Sequence, residues 1–155
     1  MIHEELSLTL KEKDSLSLFY GILSRKDYRL RYAHLGDSGF FVARKGAGFS
    51  RIETQAPAIR AQGFSAQTLK EGVWIVEPQD RIVVMSDGYA EACGGWDETL
   101  KFLDRFRERE AADLLNELTF EVKRKLKSDD GEEEMPAQDC TALVFDVDSK
   151  ILRLT

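Results

Sequence analysis

Apolar positions follow three rhythms along the chain. From Leu16 to Met85 they come in short runs and alternations, the spacing of strands. "LSLFYGILS", Leu16 to Ser24, and "RLRYAHLG", Arg29 to Gly36, flank the turn signal "RKDY" and predict a β-hairpin. "GFFVARKG" follows Asp37-Ser38 as a third strand that turns at Lys45-Gly46, and Gln55 to Gly72 reads as loop. "GVWIVEPQDRIVVMSDG" predicts two more strands broken at Pro78-Gln79, the second ending in Ser86-Asp87-Gly88 with a helix to follow. After Gly95 the period becomes helical. Trp96, Leu100, Leu103 and Phe106 share one face, Leu114, Leu115, Leu118 and Val122 another, and the two helices meet near Arg109-Glu110. An acidic loop, Lys127 to Gln138, leads into "CTALVFDVDSKILRLT", two strands around Asp148-Ser149. Residues 2–12 fit a short helix or, through alternating Leu6, Leu8 and Leu10, a strand. The whole is an α+β pattern in which antiparallel sheet packs against helices.

Composition narrows the partners. A chain of 155 residues fits one domain, residues 1–155, and 43% hydrophobic residues suffice for a core. The net charge of −6 disfavours nucleic acid and anionic membrane, both of which attract basic surfaces. Two cysteines, Cys93 and Cys140, form no CxxC pair, and the N-terminus carries neither the basic nor the apolar region of a signal peptide. No apolar run reaches the length of a membrane span. A cytoplasmic protein is expected.

Three aspartates stand at strand ends beside small or polar residues: Asp37 in "HLGDSGFF", Asp87 in "VVMSDGYAEA" and Asp139 in "AQDCTALVF". Each alone is an ordinary turn or cap residue. Strand ends that converge on one sheet edge would gather them in one cleft, where mutual repulsion calls for a cation. All-oxygen carboxylate sites suit hard ions such as Mg²⁺ or Mn²⁺. Other residues point elsewhere. His3 and His34 share no ligand spacing, and His34 reads as a strand residue. Cys93 reads as packing. Ser38 and Ser86 lack a GxSxG context. "GAG" at 46–48 is a turn, and "DDGEEE" at 129–134 is a solvated acidic loop rather than a calcium loop.

Taken in order, these segments resemble a known family. "YAHLGDSGFFVARKG" is similar to the "N-x-GDSR" hairpin of the PPM-type (type 2C) metal-dependent protein phosphatases. "VEPQDRIVVMSDGYAEA" is similar to the "SDG-x-x-E" segment of their bacterial branch, the stage II sporulation protein E-like phosphatases, and "AQDCTALVFDV" to their closing "DD-x-T" strand. The resemblance spans roughly Leu16 to Val147. It implies an antiparallel β-sandwich flanked by helices (an αββα arrangement), N-terminally shortened, because nothing here matches the family's earlier "DG-x-G-x-G" segment. It further implies a pair of Mn²⁺ or Mg²⁺ ions whose bridging water attacks phosphoserine or phosphothreonine on a phosphorylated regulatory protein. Asp87 is then a metal ligand, Asp37 supports the site, and Gly88 and Gly36 shape its backbone. At the closing motif Gln138 falls on the usual ligand position, with Asp139 beside it facing the opposite side of the strand. A neutral amide is the poorer ligand, which leaves open a catalytically inactive, protein-binding alternative. Apolar edges left by a shortened sandwich predict self-association as a homodimer.

Overall fold

The computed structural model describes residues 15–52, 59–60, 69–127 and 136–148. His3, the element expected over 2–12, "DDGEEE" and the final strand after Ser149 lie outside them. The described residues divide into two compact units, the first holding those up to Ser38 and those from Ile59 to Val76, the second the remainder.

The first unit contains the expected hairpin. Strands β1 (Ser15–Leu16), β2 (Leu18–Ser24) and β3 (Arg29–Leu35) precede the turn at Gly36-Asp37. β2 and β3 pair antiparallel with Ile22 opposite Arg31, and the connection is the predicted "RKDY", closed by an Arg31–Asp27 ion pair at 2.5 Å. Arg31 holds the Asp27 carboxyl below its usual value, after a hydrogen bond from Ser24 that does more.

The second unit opens with β4 (Gly39–Ala43) and β5 (Phe49–Arg51). In the first unit, β6 (Ile59–Arg60) and β7 (Lys70–Ile75) follow, giving a β2-β3-β7 sheet and a β1-β6 pair, both antiparallel. β6 and the start of β7 fall in the stretch read as loop. Their strand character comes from long-range partners, Lys70 opposite His34 and Ile59 opposite Leu16, which local pattern does not carry.

The second unit continues with β8 (Arg81–Met85), α1 (Asp87–Cys93), α2 (Trp96–Arg105), α3 (Ala111–Lys125) and β9 (Ala142–Asp146). Its sheet runs β5-β4-β8-β9, all antiparallel, with Phe41, Val83 and Val144 in register. On that face Phe41, Val83 and Met85 pack with Phe102 and Leu103 of α2 and Leu114, Leu118 and Val122 of α3. The helical periods read from the sequence are the ones buried here, because residues three and four apart share a face. Phe40, Val42 and Ile82, pointing the other way, are also buried.

One polar clamp fastens the α2–α3 turn to this sheet. Arg81 makes a two-pronged ion pair with Asp146 on β9 and donates to the main-chain carbonyls of Arg107 (2.8 Å) and Arg109. Its planar fork meets all four acceptors at once, which an ammonium cannot do. Among the described residues no helix is long and apolar enough to cross a membrane.

Candidate metal centre

Asp87 is set by three neighbours along the chain. β8 is buried through Ile82, Val83 and Met85, so its exit is fixed. Ser86 then takes an extended conformation as the N-terminal cap of α1. Its N–H donates to the Thr141 carbonyl at 2.9 Å. Its hydroxyl donates to the Asp139 carbonyl at 2.8 Å and accepts from the Thr141 N–H at 2.9 Å. Two segments far apart in sequence are thereby joined by three hydrogen bonds at one serine.

Gly88 completes the contact. A Cβ there would stand 2.5 Å from the Asp139 carbonyl oxygen and 3.1 Å from that of Gln138. Only a residue without a side chain lets the first turn of α1 lie against the 138–139 backbone. Asp87 is therefore half-buried in that turn, where the helix dipole favours a carboxylate. No described residue hydrogen-bonds or ion-pairs with its carboxylate.

Gln138 and Asp139 both have exposed side chains. Asp139 spends its carbonyl on Ser86, and its charge, with that of Glu91, adds to burial in raising the Cys140 thiol above its ordinary value. Glu91 is the glutamate of the "SDG-x-x-E" match, to which the sequence reading gave no role; four residues after Asp87, it shares that residue's face of α1.

Gly36 and Asp37 belong to the first unit. Gly36 has φ +80° and lies directly against Ser17, so both conformation and space require glycine. The Asp37 N–H donates to the Ser17 hydroxyl at 3.2 Å, leaving its side chain exposed. His34 is a buried strand residue, as read, with Nε2 2.7 Å from the Ser38 hydroxyl across the turn.

The structure thus sets the Gln138-Asp139 backbone against Ser86 and Gly88, with Asp87 and Glu91 on the adjoining helix. Their donors are oxygens, which fits a hard divalent ion. Among the described residues, however, no three His, Cys, Asp or Glu side chains form a group that could hold a metal. These side chains do not form a metal shell among the described residues.

Comparison with known proteins places this arrangement. The chain belongs to the stage II sporulation protein E (SpoIIE) family, whose model matches residues 1–148. Solved structures share the fold. The phosphatase domain of the cell fate determinant SpoIIE from Bacillus subtilis aligns with TM-score 0.60 at 17% identity, covering 95% of this chain and 64% of that one. The serine/threonine phosphatase PstP/Ppp of Mycobacterium tuberculosis aligns with TM-score 0.67 at 17% identity, covering 95% and 66%. The PstP catalytic domain in complex with two manganese ions aligns with TM-score 0.62 at 18% identity, covering 92% and 62%. The chain spans less than two thirds of the length of each. No curated protein sequence matches it. The α+β fold expected from the sequence is therefore that of PPM-type phosphatase domains.

Proposed function

We propose that the chain acts as the metal-dependent phosphoserine and phosphothreonine phosphatase domain of a bacterial signalling protein, with a phosphorylated regulatory protein as substrate. The observation that carries this is the unpartnered Asp87 carboxylate, in a segment whose sequence resembles the "SDG" motif of phosphatase-type domains. Mn²⁺ or Mg²⁺, when bound, would supply a water of lowered pKa able to attack phosphorus without a covalent enzyme intermediate. Manganese in the PstP relative supports the choice of ion. Asp87 would hold the cation, Gly88 lets its helix approach the Asp139 backbone, and Ser86 fastens that backbone through its hydroxyl. The reading requires further ligands beyond those the described residues supply.

A second reading is favoured by one observation. Gln138 occupies the position matched to a carboxylate ligand, and an amide oxygen without charge holds a hard cation less well. On that reading the chain is a phosphatase-like module that binds a regulatory protein and hydrolyses nothing.

The experiment is phosphate release from a phosphoserine peptide with Mn²⁺, with chelator, and with Asp87→Asn. Turnover that needs Mn²⁺ and is lost in the variant establishes the phosphatase. A folded protein that binds Mn²⁺ in titration calorimetry no better than Asp87→Asn, and releases no phosphate, establishes the binding module.

A further inference from the structure

A cavity lies at the other end of the β5-β4-β8-β9 sheet from Asp87. β8 and β9 run antiparallel, with Met85 opposite Ala142 at the Asp87 end and Arg81 opposite Asp146 at this one. Four segments of the second unit wall it: the β4–β5 turn, the turn before β8, the α2–α3 turn and the end of β9. Its volume of about 590 Å³ is that of a small-molecule site. The frame is fixed, because Arg81 spends its guanidinium on Asp146 and on the Arg107 and Arg109 carbonyls.

Two of the walls are turns of one shape. The Ala47 N–H donates to the Arg44 carbonyl and the Asp80 N–H to the Glu77 carbonyl, each at 3.0 Å. In both turns the third residue alone has positive φ, a backbone that favours glycine. The first turn has Gly46 there, at φ +72°. The second has Gln79, at φ +73°. Gln79 is held in place from both sides. Its N–H donates to the Val147 carbonyl and the Val147 N–H to the Asp80 carbonyl, each at 2.8 Å, while the Asp80 carboxylate accepts the Glu77 N–H at 2.9 Å. A side chain kept in so strained a backbone is a mark of functional positions, and this one lines the cavity.

The charges define what fits. Arg81 neutralises Asp146, Arg44 pairs with Glu77, and Arg107 pairs with Glu108 beside it in sequence. Lys45 forms no ion pair or hydrogen bond with any described residue, so its ammonium is the charge left over in the wall. The Gln79 amide, equally without a side-chain partner among the described residues, adds two N–H donors. Asp148 also lines the cavity and sets a limit. It repels a polyphosphate or a nucleic-acid backbone, whereas a single oxyanion group can lie against Lys45 and away from it.

We propose that this cavity binds a small molecule carrying one oxyanion group, a phosphate monoester or a carboxylate, held by Lys45 and the Gln79 amide. The site is separate from Asp87 and independent of whether the chain hydrolyses phosphate. The test is an amide NMR titration of the full chain, with chelator present, using inorganic phosphate, glycerol phosphate, succinate and inorganic triphosphate as probes. Saturable shifts are expected at the amides of Lys45, Gly46, Gln79 and Arg81, with triphosphate binding no tighter than glycerol phosphate. The tighter of the phosphate and carboxylate arms identifies the oxyanion. Lys45→Gln weakens binding by about tenfold, the loss of one charge-assisted contact. Gln79→Gly separates use from structure. Its urea midpoint rises, because glycine adopts that backbone without strain, while its binding weakens by about threefold or more. Asp87→Asn binds as the unmodified chain does. Four outcomes overturn the proposal: no saturable shifts in the cavity; shifts spread over surface lysines and unchanged by Lys45→Gln, an adventitious ion only; a Gln79→Gly variant that keeps its affinity; or binding that disappears with Asp87→Asn.

Discussion

The hydroxyl of Ser86 donates to the carbonyl of Asp139 at 2.8 Å while accepting the Thr141 N–H at 2.9 Å. A single side chain thus joins the end of β8 to the start of β9. Ser86→Ala removes both bonds and leaves a main-chain donor and acceptor to find water. The site is partly open, so the loss stays near the value for ordinary hydrogen bonds, about 1–2 kcal/mol. A urea midpoint that falls with an unchanged slope checks this. A midpoint equal to that of the unmodified protein shows that water replaces the hydroxyl without cost.

Gly88→Ala acts at the same junction from the other side. In an unconstrained helix the change would be favourable by about 1 kcal/mol. Here the added methyl meets the Asp139 carbonyl oxygen at 2.5 Å, and backbone on both sides must part. Overpacking of this kind costs about 1–3 kcal/mol, so net destabilisation is expected. Thermal or urea unfolding decides the sign. An alanine variant more stable than the parent would mean that α1 does not lie against the 138–139 segment.

Much of this was legible beforehand because it is local. The "RKDY" hairpin, the break at Pro78-Gln79 and the two helices meeting before Ala111 follow from turn chemistry and from apolar periods of two and 3.6. The site was legible only in part. "SDG" announces a turn from a buried strand into a helix, and the structure builds one at Asp87. That Ser86 would reach Asp139, fifty-three residues on, is a matter of sheet order, with β9 beside β8. Pairing of β7 with β3 was hidden for the same reason. Nor could the apolar run of β2 say that Tyr20 and Ile22 face water, since a buried and an open strand face are written in the same residues.

Gln138 offers a gain-of-function measurement on the proposed metal centre. Its side chain is exposed, so Gln138→Asp adds a carboxylate without disturbing packing. On the phosphatase reading the variant binds Mn²⁺ more tightly by about tenfold, roughly the effect of one added charged ligand in place of a neutral one. Asp139 lies before β9 rather than on it and meets Ser86 through its backbone carbonyl, so Asp139→Asn changes affinity less. Titration calorimetry or Mn²⁺ electron spin resonance reads both. Equal affinities for Gln138→Asp and the unmodified chain would remove residue 138 from the metal site.

Cys93 ties stability to alkaline pH. It is 3% exposed among the packed side chains of the second unit, and burial, aided by the negative charge of Glu121, raises its thiol above the ordinary value, against a hydrogen bond with Thr99. The unfolded chain therefore gives up this proton first. A group whose folded pKa is raised contributes its stability in full below the unfolded value, about 8.5 for a thiol, and loses it as pH climbs toward the folded value. The urea midpoint of the native sequence should fall over that window. Cys93→Ala, whatever its packing cost at neutral pH, should fall less steeply, because it has no proton to release. Tyr89, also raised chiefly by burial, adds its own loss only at higher pH, in the phenol range. Parallel declines for the two proteins between the thiol and phenol ranges would show that Cys93 ionises as freely in the folded protein as in the unfolded chain, and that α1 is more open to water than its packing against α2 and α3 implies.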